Sequence, residues 1–150
     1  MGSKWSKWLA ASLFGALAVA GCGSSSSTTT STPTLPASGN YVGKLTTSAL
    51  AGAGVDTVNV GAGGVWHLAL SPSKMKLTSP AGDETVYPVV AIAKNRLTLG
   101  GNPLCSVNTA QTQKSVYYVS ASPRGLQFVG VNVACKEDGG TLTAGRWTKP

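Results

Sequence analysis

The chain has 150 residues, 42% of them hydrophobic and 11% charged, with 12 Lys and Arg against 5 Asp and Glu and a formal net charge of +7. That apolar content excludes a wholly disordered chain, and the length admits a single core. With 1 His and 3 Cys there is little material for histidine catalysis or a zinc site, and basic residues dispersed along the chain without a recognition-helix pattern give no reason to expect a nucleic-acid partner.

The N-terminus begins with Lys4 and Lys7 and continues through Trp8 to Ala20 without a charge. This is the charged and apolar layout of a secretory signal, and it falls short of the roughly 20 apolar residues that a spanning helix needs. Met1, Gly2 and Ser6 also meet the short pattern for N-myristoylation. That alternative would leave a bare apolar stretch beside the anchor of a cytosolic protein, so export is the preferred reading.

The apolar run ends in Val19-Ala20-Gly21-Cys22, which resembles the lipobox of bacterial lipoproteins at every position. The resemblance implies a diacylglyceryl thioether on Cys22, cleavage before it and acylation of the new amine. It therefore implies a protein held in the bacterial cell envelope by two or more acyl chains, facing the periplasm or the cell exterior. Two chains give stable attachment where one is marginal. Gly23 stands where an Asp would resemble an inner-membrane retention signal in some two-membrane bacteria. Ordinary secretory cleavage near Ala20 is the alternative, and it leaves Cys22 without a role.

Residues 23 to 40, GSSSSTTTSTPTLPASGN, contain little that could build a core. They read as a disordered tether with a reach of roughly 20 to 25 Å. The expected organisation is a signal peptide over 1–21, lipidated Cys22 and its tether over 22–40, and an all-β domain over 41–150. Loss of Lys4 and Lys7 leaves ten of the 12 basic residues against 5 acids, a formal +5. With Cys22 committed to lipid, Cys105 and Cys135 form an even pair in an exported domain and predict a disulfide. Closing that loop would stabilise by roughly 3 to 4 kcal/mol in the chain-entropy model.

The domain is written in short alternating runs separated by turn residues. Strands are expected over Tyr41 to Thr47, Val65 to Leu70, Lys74 to Thr78, Thr85 to Ala93, Asn95 to Leu99, Ser115 to Ala121, Gly125 to Val133 and Thr141 to Thr148. Trp66, Leu68 and Leu70 share one face, as do Met75 and Leu77. Pro88 cannot donate to a ladder and marks an edge or a bulge. Tyr117 and Tyr118 must face opposite ways. Ser48 to Gly64 reads as a flexible loop with a minor strand at Val55 to Val60, or as a lid, and Lys136 to Gly140 reads as a turn. About eight strands with mostly short connections predict an antiparallel up-and-down barrel or meander, with a two-sheet sandwich as the alternative.

Gly39-Asn40-Tyr41 at the head of the first strand resembles the G-x-W motif of lipocalins and their calycin relatives, with Tyr41 in place of Trp. In that family a basic residue near the last strand packs over the opening aromatic, and the resemblance assigns that place to Arg146. With Trp66, these residues are the candidate ligand contacts, and the implied partner is a small apolar or amphipathic molecule. A barrel of eight strands is just wide enough to be filled by its own side chains or to hold one small ligand. The alternative is therefore a structural or protein-interacting lipoprotein with a filled core. No catalytic residue, cofactor or metal is expected: His67 stands mid-strand, the acids come as two adjacent pairs in turns plus Asp56 in the glycine-rich loop, and no nucleotide-loop or nucleophile-elbow motif occurs.

Overall fold

Alternation of apolar and polar side chains turns most of the domain into strands. The computed structural model describes residues 35–36, 38–58, 63–101 and 113–150. The chain divides into two units, Met1–Thr30 and Ser31–Pro150, and the described residues belong to the second. The signal peptide, Cys22, most of the tether and Cys105 lie outside them.

The elements in chain order are β1 (Gly39–Leu45), α1 (Thr47–Gly52), β2 (Gly64–Leu70), β3 (Lys74–Thr78), β4 (Glu84–Ala93), β5 (Arg96–Leu99), β6 (Ser115–Ser122), β7 (Gly125–Asn132), α2 (Lys136–Thr143) and β8 (Arg146–Thr148). The eight strands form a closed antiparallel barrel in sequence order, with β8 returning to β1. Every strand pairs on both sides, so none is an edge strand. The fold is the all-β up-and-down barrel that the alternation predicts, not the sandwich.

The interior is built from alternate positions: Tyr41 of β1, Trp66, Leu68 and Leu70 of β2, Met75 and Leu77 of β3, Leu97 and Leu99 of β5, and Phe128 of β7 are all buried. Tyr117 points in and meets Phe128 edge to face at 6.2 Å between ring centres, whereas Tyr118 points out. Pro88 sits where β4 changes partner. Residues up to Pro88 pair with β3, those from Val89 pair with β5, and the register shifts between Val89 and Ala91. The missing N–H is accommodated by a bulge, because a closed barrel offers no edge.

The seam is narrow. β8 meets β1 through Val42↔Thr148 and Gly43↔Trp147, and meets β7 through Leu126↔Trp147 and Gln127↔Arg146. Trp147 holds it. Its indole is fully buried, lies 3.1 Å from the place a Cβ on Gly43 would take, and donates from Nε1 to the Leu142 carbonyl at 3.0 Å. Gly125, at φ +120°, lets β7 begin against the Trp147 carbonyl, where a side chain would collide.

Two segments depart from the alternating pattern. Thr141 to Thr148 is not one strand: α2 occupies the first part and β8 is only Arg146–Thr148. The threonines fit a helix because their hydroxyls donate to carbonyls one turn back, Thr141 to Glu137 at 3.0 Å and Thr143 to Gly139 at 2.9 Å. Gly139 and Gly140 bring the helix backbone close to Val133, Val55 and the Ala53 carbonyl. Leu142 is fully buried beneath it. The expected turn at Lys136 to Gly140 is thus the first part of α2.

The glycine-rich connection also begins with a helix. Thr46 caps α1, its hydroxyl accepting from Ala49 N at 3.1 Å, and Leu50 is buried. Val55 to Val58 is not strand; the Asp56 carboxylate accepts from Val58 N at 3.0 Å in a turn, and residues 59–60 lie outside the described set.

Candidate functional site

The residues singled out from the sequence fall on both sides of the barrel wall. Tyr41 and Trp66 face the interior and are buried. The Tyr41 hydroxyl lies 2.8 Å from the Cβ position of Gly39, so the glycine makes room for the ring folded back along its own strand. Neither the Tyr41 hydroxyl nor Trp66 Nε1 has a hydrogen-bond partner among the described residues. Burial pushes the Tyr41 phenol above its ordinary 10.0, because an apolar interior disfavours the phenolate.

Arg146 is not with them. In β8 its neighbour Trp147 points inward, so Arg146 points outward, where Nη2 reaches Gln127 Oε1 at 3.5 Å across the β7–β8 pair. Strand alternation forces this: two adjacent residues cannot both enter the core. The inward place on β8 belongs to Trp147, whose indole packs on Gly43 of β1.

The catalytic candidates are similarly dispersed. His67 is exposed on β2, opposite Val42 and Thr78, and Glu84 lies one strand further on, already paired with Lys76 at 2.6 Å. No group of three metal-ligating side chains occurs among the described residues. No helix among them is long and apolar enough to cross a membrane. Cys135, at the N-terminus of α2, is disulfide-bonded and is the one cysteine among the described residues.

A concave site of about 520 Å³ lies on the outer wall, between β7, α2 and the residue after α1. Its apolar surface comes from Val129, Val133 and Ala53, and its polar groups are Gln127, Lys136 and Thr143. Phe128, Gly130, Gly139 and Gly140 complete the lining, and the Val133 side chain lies between the helix and strand glycines. The hollow is open and shallow, with a partly apolar lining, so a molecule seated there would keep part of its surface in water. Beside it the wall is unusually apolar: Tyr118 is 48% exposed, its cross-strand partner Val129 56%, and Val131 52%.

Sequence reasoning missed this cleft because it depends on α2 being a helix. One available signal was Glu137 and Asp138 behind Cys135, acids placed where a helix N-terminus favours them. Comparisons with protein-family models, with curated proteins and with solved structures find no match to this chain.

Proposed function

We propose that the chain is an exported bacterial lipoprotein, anchored in the cell envelope through Cys22, whose non-catalytic barrel binds a small amphipathic molecule on its outer wall. The cleft between β7 and α2 carries this reading: Val129 and Val133 offer an apolar surface, and Lys136 offers a cation to an anionic headgroup. The interior supports it less, since Tyr41, Trp66, Leu68 and Trp147 are packed and inaccessible. The lipobox at Val19 to Cys22 and the disulfide on Cys135 support the export part, because such bonds persist in oxidising compartments.

The test is the intact mass of protein extracted from its own membrane, native and then denatured, with and without reductant. The expected species is residues 22–150 plus acyl chains, gaining about two hydrogens on reduction of a Cys105–Cys135 bond, with extra mass lost only on denaturation. Val129→Asp should abolish that extra mass while leaving the fold intact, as its side chain is exposed. Myristate on Gly2 would sink the export reading.

A second reading has its own observation. The outward row of Arg96, Tyr118 and Val129, in register across β5, β6 and β7, is a surface for a protein partner. Absence of bound small molecule, with capture of an envelope protein lost on Tyr118→Ser, would favour it.

A further inference from the structure

The two ends of the barrel differ in charge: one carries cations and no acid, whereas the other carries all the acids together with Lys44, Lys114 and Lys136. β1 begins, β2 turns into β3, β4 into β5 and β6 into β7 at one end, and β8 finishes toward it. Lys74, Lys94, Arg96, Arg124 and Lys149 all belong to those turns and strand termini, and all are exposed. The acids 56, 83, 84, 137 and 138, which are all the acids of the chain, lie in the connections, helix and strand start of the opposite end. The one ion pair among the described residues is Lys76 with Glu84, so none of those five cations is neutralised there by an acid.

The chain enters the domain at the basic end. Leu35 is buried and donates from its backbone N–H to the Lys94 carbonyl at 2.9 Å, which fixes the last part of the tether against the β4–β5 turn. Cys22 is joined to Leu35 by residues 23 to 34. A lipid on Cys22 would therefore be joined to the domain through this end of the barrel.

We propose that the tether end of the barrel is an electrostatic docking face for anionic lipid headgroups, engaged by Lys74, Lys94, Arg96, Arg124 and Lys149. The proposal rests on the lipoprotein reading for its biological setting, but its chemistry is independent of the acyl chains. The domain stands basic end down, with α1, α2 and the acids turned away from the surface.

The experiment uses the full chain carrying Cys22→Ser, sedimented with vesicles of phosphatidylcholine alone or with about 30% phosphatidylglycerol, at low and high salt. Lys94→Asn with Arg124→Gln removes two cations from the docking face, and Lys44→Gln with Lys114→Gln removes two from elsewhere at the same net charge. Each cation near an anionic surface contributes about fivefold, so the first pair should weaken binding to anionic vesicles by at least about tenfold and the control pair by less than about threefold. Equal losses in both pairs, or binding indifferent to phosphatidylglycerol and salt, would overturn the proposal. If the intact mass shows no acyl chains on Cys22 while the vesicle result holds, the anchor reading fails and the docking face stands.

Discussion

The tether end and the far end of this barrel are built by different means. At the tether end the chain turns through short connections: Ser71 to Ser73, Lys94 with Asn95, and Pro123 with Arg124. Local chemistry suffices there: the Ser71 hydroxyl donates to the Lys74 carbonyl at 2.8 Å, and Lys94 takes φ +54° at a two-residue turn. At the far end the connections are long and two helices lie over the opening, with Leu50 and Leu142 buried. Sequence-local rules therefore specify one end, and side-chain packing between distant segments specifies the other.

The largest effect should come from the seam that joins the two. Trp147→Ala removes the buried indole, its contact with Gly43 and its hydrogen bond to α2; a loss of about 3 to 5 kcal/mol in denaturant unfolding is expected. If the loss were below about 1 kcal/mol, the seam would not be what holds both ends. Leu35→Ala tests whether the tether end is sealed by the segment that enters it before β1. Because Leu35 is buried against the barrel, the expected cost is about 2 to 3 kcal/mol, with faster proteolysis of the segment before β1.

Gly140→Ala addresses the far end alone. A Cβ there would stand 2.5 Å from Val55 and 2.7 Å from the Ala53 carbonyl, so α2 must lift away from the residues after α1. About 1 to 3 kcal/mol is expected, together with altered ligand binding in the cleft that Ala53 and Gly140 line. An unchanged unfolding midpoint would show that the two helical segments are not mutually packed.

Tyr41→Phe should give a smaller, pH-dependent effect. The folded phenol titrates above 10.0 because burial disfavours its charged form, so its contribution to stability is complete below that value and is lost as pH rises through the folded pKa. The Phe variant should be flatter between neutral and strongly alkaline pH. At neutral pH it should be unchanged or more stable by about 1 kcal/mol, since a buried hydroxyl without a partner is removed. The smallest effect belongs to Lys76→Ala. Its ion pair with Glu84 joins side chains 40% and 51% exposed, and less than about 0.5 kcal/mol, vanishing in high salt, is expected.

Strand positions were legible because the alternation has a period of two and one face is buried: Lys74 to Thr78 could be read residue by residue. Pro88 announced an edge or a bulge for the same local reason, and closure of the barrel left the bulge. The segment Lys136 to Thr143 was not legible as a helix, since two glycines and two threonines have poor helix propensity, and only packing against Val133 and Val55 makes that conformation the stable one. Of the candidate ligand residues, Tyr41 and Trp66 faced the core as their strand pattern requires. Arg146 did not, because Trp147, the next residue, has by far the larger apolar surface to bury.

By itself, then, the sequence determined an all-β chain of about eight strands, which side of each strand is apolar, and the turns of the tether end. These are properties of neighbouring residues, enforced by backbone geometry and the hydrophobic effect. The tertiary structure alone decided that α2 leans on β7 to form a cleft, that Trp147 rather than Arg146 fills the seam, and that Lys74, Lys94, Arg96, Arg124 and Lys149, dispersed along the chain, gather at one end. In an antiparallel barrel every second connection returns to the same end, so residues far apart in the chain become neighbours, and their charges add only once the strands have closed.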